Sequence, residues 1–510
     1  MVRLKFLFSH GDLIMLRSLF VLGLFTAVLS PSAYADSLLI KQAKIVQPDQ
    51  AQASAPQDVL IRDGKIVAIG KNLGKSQAKS DRQIDGRGKF LVPGLIDTHV
   101  HLDGVPGYAG KRPEDEAMLK EARLQMPRSY AYFGFTTVLD LTGNPSFIAD
   151  WNSQPAGPQA YFCAPVTIPN GYPASWMDKD LQFQVEGTKY MLFDPAQPTV
   201  YPANFKPEAH TPQAVVAAAK QDGASCIKVF YETGFGAKKN LPVPSPELIQ
   251  AVVAHAKSLK MPVYLHGNSQ AAYEFALKTG VTTLVHGMWH ETKQVDPLMN
   301  QQRLQAMARE LATADISIQP TIQVLYGEQE AMNPDFFKNP QVDHAIPQQL
   351  ASWYQSDAGQ WMSKLLAEEL VGSTNSPAER YQAFQKMYAK PLNTVRQMTQ
   401  QLQKNGARLL FGSDTPSGPF YTQFPGVNGR WEMDRWLETG MSLPQLFSAL
   451  TINNARALGL EQSIGSVEVG KRADLLLLDR NPLLSVEAYD SIAQVILHGK
   501  PHARASLSAH

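Results

Sequence analysis

The chain has 510 residues, 44% of them hydrophobic, with 47 Lys+Arg against 46 Asp+Glu and a formal net charge of +1. That composition, free of low-complexity runs, describes a globular chain with one large core or two smaller ones and excludes long-range disorder. Near neutrality and the lack of a Lys/Arg run also set aside a nucleic-acid partner, since such binding draws its affinity from neutralised phosphates.

Residues 1–35 read as an export signal. Arg3, Lys5 and Arg17 precede the apolar stretch Leu19 to Leu29, which falls short of the roughly 20 residues that span a bilayer. Ala33-x-Ala35 places a cleavage site before Asp36. A retained N-terminal anchor is the alternative. Asp12 interrupts the basic region, so a start at Met15 would leave a more compact signal. Cleavage removes three basic residues and one acidic one, taking the net charge from +1 to −1. The mature protein is expected to be periplasmic or secreted, with no stable membrane anchor.

Strand-like runs follow at Leu38 to Val46, Asp58 to Ile69 and Arg82 to Val92. Asp63-Gly64 predicts a hairpin, because Gly supplies the positive φ that a tight turn requires. Similar runs return at Asp474 to Leu478 and Ile492 to His498, so residues 36–92 and 460–510 are predicted to form a small β-sandwich domain from both termini.

Between them, over 93–459, eight short apolar strands alternate with helical stretches such as Pro246 to Leu259 and Ser269 to Lys278. The strands are Leu95 to His101, Thr136 to Leu141, Ala160 to Pro165, Cys226 to Tyr231, Val263 to His266, Thr283 to His286, Ile316 to Thr321 and Arg408 to Asp414. Such alternation predicts an α/β protein with a parallel sheet, most simply a (β/α)8 TIM barrel. An open doubly wound sheet is the competitor, weakened by the absence of a Gly-rich phosphate loop after any strand. Cys163 and Cys226 read as two buried thiols on core strands, with a disulfide between them as the alternative. The connection from Gln323 to about Pro391 carries Trp353, Tyr354, Trp361, Tyr381, Phe384 and Tyr388. It reads as a lid or substrate wall, or else as a docked helical decoration.

Metal-competent groups gather at the strand ends. His99 and His101 lie two apart, so both imidazoles point to one side of their strand. Lys228 stands near the end of the fourth strand, where burying a charged amine is costly. A depressed pKa would make it nucleophilic and able to take up carbon dioxide as a carbamate, an anionic ligand that can bridge two metals. His266 and His286 end the fifth and sixth strands, each followed by Gly, a small residue that allows backbone and substrate to approach. Asp414 ends the eighth. Taken singly each is a weak signal, with a satisfied core or strand-end side chain as the competing reading and, for a lone Lys228, the stronger one; together, on five strands, they point to a metal centre.

The segment Phe90 to His101, with Pro93-Gly94-Leu95-Ile96-Asp97-Thr98-His99-Val100-His101, resembles the signature of the amidohydrolase superfamily. The likeness extends to Lys228, His266, His286 and Asp414 in family order, and to Asn454–Leu460 and Gly465–Asp474. It is nearest to the imidazolonepropionase-like and barrel prolidase-like branch, and Lys228 favours the peptidase-like side. Asp150 to Pro212 and the lid segment lie outside it.

The resemblance implies that His99, His101 and Asp414 hold one divalent cation, that His266 and His286 hold a second, and that carbamylated Lys228 joins them. Zinc suits these ligands, and manganese, cobalt, nickel and iron are compatible with them. The implied activity is cleavage of a C–N bond in an amide, dipeptide or cyclic amide by a bridging hydroxide, with Asp414 carrying the proton to the leaving amine. The partner is then a small molecule or short peptide. Tyr231, three residues beyond Lys228, is a candidate donor to a substrate carboxylate or oxyanion, or else a packed tyrosine. His290 reads as a solvated loop residue. Lactonase or phosphotriesterase chemistry on the same centre is the alternative function, and a catalytically silent scaffold is a third.

Overall fold

The computed structural model describes residues 37–510, apart from 77–79, 110–111, 180, 185–187, 198, 235–237, 291–296 and 369–375. The expected export signal, 1–35, lies outside the described residues. Asp63 and Gly64 take the left-handed φ values of 49° and 72° that a tight hairpin demands. They join strands β2 (Pro56–Arg62) and β3 (Lys65–Gly70), and β2 pairs on its other side with β1 (Ser37–Ile45). Strand β1 also carries β4 (Arg82–Asp85) and β5 (Phe90–Pro93) in parallel. Leu38, Ile40, Ile45, Val59, Ile61 and Leu91 meet beneath these strands.

The seven strands that follow are β6 (Leu95–Val100), β7 (Phe135–Asp140), β8 (Gln159–Pro165), β9 (Cys226–Phe230), β10 (Val263–His266), β11 (Thr283–Val285) and β12 (Ser317–Gln319). They hydrogen-bond in chain order and every pair is parallel. The chain is therefore a mixed α/β protein built on a curled parallel sheet, and its short apolar strands are buried on both faces. Helices between strands begin where the sequence caps them. Asn144, Thr211, Ser245 and Ser269 each accept the amide three residues on, at Phe147, Ala214, Leu248 and Ala272.

The segment expected as an eighth strand, Arg408 to Asp414, forms a single-residue bridge of Leu409 with Ile318, and Thr415 just beyond it forms another with Val100. Its backbone still bonds β12 through Leu410 N to Ile318 O at 2.9 Å, and β6 through Thr98 N to Phe411 O at 3.1 Å. Asp414, at φ 54°, turns away from extended geometry and interrupts a longer ladder.

Strands β13 (Leu475–Leu478), β14 (Ile492–Leu497) and β15 (Lys500–Ala503) close the chain. Pairing of β13 with β5 joins both termini in one eight-stranded sheet, ordered β15-β14-β13-β5-β1-β2-β3 with β4 on β1. Strand β15 escapes a sequence reading because Lys500-Pro501-His502-Ala503 has no apolar alternation.

Two expectations are corrected. Cys163 and Cys226 are not separate thiols but a disulfide. The register of β8 on β9 sets them directly opposite, which their separation of 63 residues conceals. Pro391, taken as the end of the long connection, lies inside a 28-residue helix, Pro377–Lys404. Burial of Leu392, Val395, Met398 and Leu402 on one side of that helix offsets the roughly 3 kcal/mol an interior proline costs.

The inserted helices also include Gln323–Glu330, Gln348–Tyr354 and Trp361–Leu366. They are tied to the loops that follow His101 and Asp414. The Tyr354 hydroxyl donates to Pro106 O, Trp361 Nε1 donates to Gly107 O at 2.9 Å, and the Tyr421 hydroxyl donates to Ala331 O at 2.9 Å. Among the described residues no helix is long and apolar enough to cross a membrane.

Candidate metal centre

Six side chains from the carboxy-terminal ends of the parallel strands and from the Arg408 to Asp414 segment meet in one buried cluster. His99 Nε2 lies 2.9 Å and His101 Nε2 3.1 Å from the same oxygen, Asp414 Oδ1. Asp414 Oδ2 is 3.6 Å from His286 Nδ1, and His286 Nε2 is 2.9 Å from His266 Nδ1. Lys228 is only 2% exposed, and its charge acts on all four imidazoles.

Burial dominates the electrostatics. It pulls His99 down to about 3 and lowers His266 and, further, His286, so these rings are neutral. Burial also presses on His101, but the hydrogen bond and charge of Asp414 raise it overall. Asp414 is held well below the usual carboxylate range: burial opposes its ionisation, and His99, His286 and His101 outweigh that. Burial pushes Lys228 down to about 7, with Asp414 resisting, so much of the amine is neutral near neutral pH. Three residues of the cluster and its rim are held at left-handed backbone angles, His286 at φ 84°, Thr321 at 43° and Asp414 at 54°. Each such residue costs on the order of 1–3 kcal/mol, strain that concentrates at functional sites.

Tyr231 does not join the cluster. Strand side chains alternate, so residues an odd number beyond Lys228 face the other side, and the Tyr231 ring packs against Phe275 at 4.8 Å on the helix side. Of the two readings of Tyr231, this contact fits the packed tyrosine. Phe230 and Glu232 share the side of Lys228: the Lys228 ammonium lies 5.8 Å from the Phe230 ring, and Glu232 Oε2 lies 3.3 Å from His266 Nε2. The tyrosine that does face the cluster is Tyr172, from the long connection after β8. Its ring stacks on His266 at 4.8 Å, and burial, then the charges of Asp414 and Glu232, raise its hydroxyl. No motif in the sequence marks Tyr172 or Glu232.

A narrow cleft adjoins them, lined by Val166, Ile168, Tyr172 and Phe230, with Glu232 as its carboxylate. The glycines after His266 and His286 serve packing: a Cβ on Gly267 would meet Ala272 at 2.6 Å, and one on Gly287 would meet Val395 at 2.6 Å. His290 is exposed, as expected.

These donors fit a divalent cation. One ligand atom each from His99, His101 and Asp414 lies within 4.8 Å of the others. A neutral imidazole such as His99 and an ionised carboxylate such as Asp414 are forms that bind zinc and similar ions, and a cation would displace any proton on His101.

Fold and donor set together are those of an α/β protein with a candidate divalent-metal centre at one end of its parallel sheet. The family model described as Amidohydrolase family matches residues 379–503, which include Asp414 and β13 to β15. Across nearly its whole length the chain resembles a Xaa-Pro dipeptidase of known structure, with 20% identity, coverage of 92% of this chain and 100% of that one, and a TM-score of 0.60. At that identity the likeness is one of fold. In sequence it is 22% identical over 485 residues to the L-hydantoinase of Paenarthrobacter aurescens, covering 88% of this chain and 87% of the relative. It is 37% identical over 100 residues to the dihydroorotase of Ligilactobacillus salivarius, 20% of each chain. The chain matches a fifth or less of the length of the first curated relatives. The resemblance to the amidohydrolase superfamily is borne out by the family match over residues 379–503, and the likeness to prolidase-like structures is one of fold.

Proposed function

We propose that the protein is an exported, two-metal hydrolase that cleaves a C–N bond in an amide, short peptide or cyclic amide, at one end of a (β/α)8 barrel completed by the Arg408 to Asp414 segment. The terminal strands then form the accompanying sandwich-like domain. One observation carries this: four imidazoles, a carboxylate and a buried lysine, scattered over more than three hundred positions, converge on one another. His99, His101 and Asp414 would hold one cation and His266 and His286 another, with Lys228 as a carbamate shared by both. Bound there, the cations would acidify a water molecule and polarise the scissile carbonyl.

The chain's own residues supply the rest. Asp414 Oδ2 takes the proton of the attacking water and returns it to the leaving nitrogen. Tyr172 replaces Tyr231 as the hydroxyl donor to the substrate. The inserted helices, bonded to the loops after His101 and Asp414, wall the site. Export is supported by the Cys163–Cys226 disulfide, a bond that persists in oxidising compartments. The similarity to an L-hydantoinase and a Xaa-Pro dipeptidase favours C–N over C–O or P–O bonds.

The test is a panel of dipeptides including Xaa-Pro, hydantoin and dihydroorotate, a lactone and a phosphotriester, offered to protein loaded with zinc and bicarbonate. Turnover confined to C–N substrates is expected. Turnover of only the lactone or phosphotriester would move the assignment to those reactions, and less than one ion per chain would favour a silent scaffold.

A further inference from the structure

We propose that Glu232 is a positioning residue that fixes the tautomer of His266, so that this imidazole offers Nδ1 to the cation site it shares with His286. The inference rests on the two-metal assignment above and adds a residue that assignment does not use. Glu232 is buried, and both of its oxygens are engaged. Oε1 accepts from Gly234 N at 2.7 Å, while Oε2 accepts from Asn268 Nδ2 at 3.2 Å and lies 3.3 Å from His266 Nε2.

Oε2 already accepts from Asn268 Nδ2, and as an acceptor it takes the hydrogen of the His266 contact from Nε2, which leaves the lone pair on Nδ1. That nitrogen is the one 2.9 Å from His286 Nε2. Rotation of the ring is opposed by Tyr172, stacked on it at 4.8 Å with an interplanar angle of 29°.

Among the described residues, His266 alone of the four imidazoles has a carboxylate oxygen within hydrogen-bonding distance of its outer nitrogen. His101 Nδ1 and His286 Nδ1 meet the hydroxyls of Thr142 and Thr321 at 2.7 and 3.0 Å, and buried His99 Nδ1 has no hydrogen-bond partner. A carboxylate on the outer nitrogen both orients a ligating histidine and raises its basicity. The second cation's affinity therefore depends on a residue that does not touch it.

Glu232→Ala and Glu232→Gln, in the mature chain loaded with zinc, separate the possibilities through zinc content against a chelator series. In the Ala variant one of the two ions should leave at roughly 10–100-fold lower chelator concentration while the other stays; Gln, which keeps an acceptor oxygen, should fall between Ala and wild type. Wild-type retention of both ions in the Ala variant would overturn the proposal. Should the Ala variant fail to fold, the Gln variant and the wild type are compared as metal-free protein by ¹⁵N-histidine NMR. The wild type should show a protonated Nε2 at His266 and the variant a mixed population; identical tautomers would overturn the proposal. That measurement needs no bound ion. A wild type that binds no zinc would count against the two-metal assignment, whereas a two-ion wild type with unaffected variants would remove only the role of Glu232.

Discussion

Asp414 gathers two imidazole nitrogens on one oxygen, and the period-2 spacing of His99 and His101 already places both rings on one side of their strand. The same rule, applied beyond Lys228, separates Tyr231 from the site and selects Glu232. Counting three residues along the chain without alternation hides that difference. Tyr172→Phe should lower kcat or raise KM by roughly tenfold, an effect typical of losing one hydrogen bond in the transition state. Tyr231→Phe should leave both constants within about twofold. Steady-state kinetics on the best C–N substrate checks the pair, and the opposite ranking would restore Tyr231 to the site.

Pairing of adjacent elements accounts for two features that no single segment announces. Strands β8 and β9 bring Cys163 opposite Cys226, and closing a loop of 63 residues restricts the unfolded chain by about 4 kcal/mol on the chain-entropy model. Replacing both cysteines by Ala should lower stability by about 2–4 kcal/mol in denaturant titration, and an unchanged midpoint would show the bond to be thermodynamically idle.

The helix Gln323–Glu330 begins against the helix Val427–Glu438. Fully buried Glu432 accepts from Ile322 N at 3.0 Å, Gln323 N at 2.6 Å and Trp436 Nε1 at 2.7 Å. Burial pushes its carboxyl up from 4.5 to about 8, against the pull of those donors. The folded state thus keeps a proton that the unfolded chain releases. Between pH 4.5 and about 8 this group makes stability fall as pH rises, by up to about 1.4 kcal/mol per unit. Glu432→Gln should flatten the dependence of Tm on pH across that window, and parallel curves for the two proteins would contradict the raised value.

At the level of the whole molecule, the chain's end completes its beginning. Strand β5, which leads directly into β6 and the two histidines, is flanked by β1 on one side and β13 on the other. Asp474 secures the junction, its carbonyl accepting Gly94 N at 2.8 Å and its Oδ1 accepting His498 N at 2.7 Å. Truncation after Gly459 would bare the edge of β5 and the apolar faces of Leu91 and Ile96. The shortened chain should be recovered largely insoluble. Soluble protein with wild-type metal content would show the parallel sheet to be independent of the terminal strands.

The sequence alone determined the parallel α/β character, the hairpin at Asp63-Gly64, the positions of the seven parallel strands to within a few residues, and the six metal-competent side chains. Those follow from local rules: alternation, capping, turn chemistry and the residue types that end strands. Tertiary structure decided what depends on neighbours distant in the chain: the Cys163–Cys226 bond, the single-residue bridging of Arg408 to Asp414, the helix continuing through Pro391, and the meeting of Tyr172 and Glu232 with His266. In each case the deciding energy is contact across strands or packing against another element, and a reading along one segment contains no term for it.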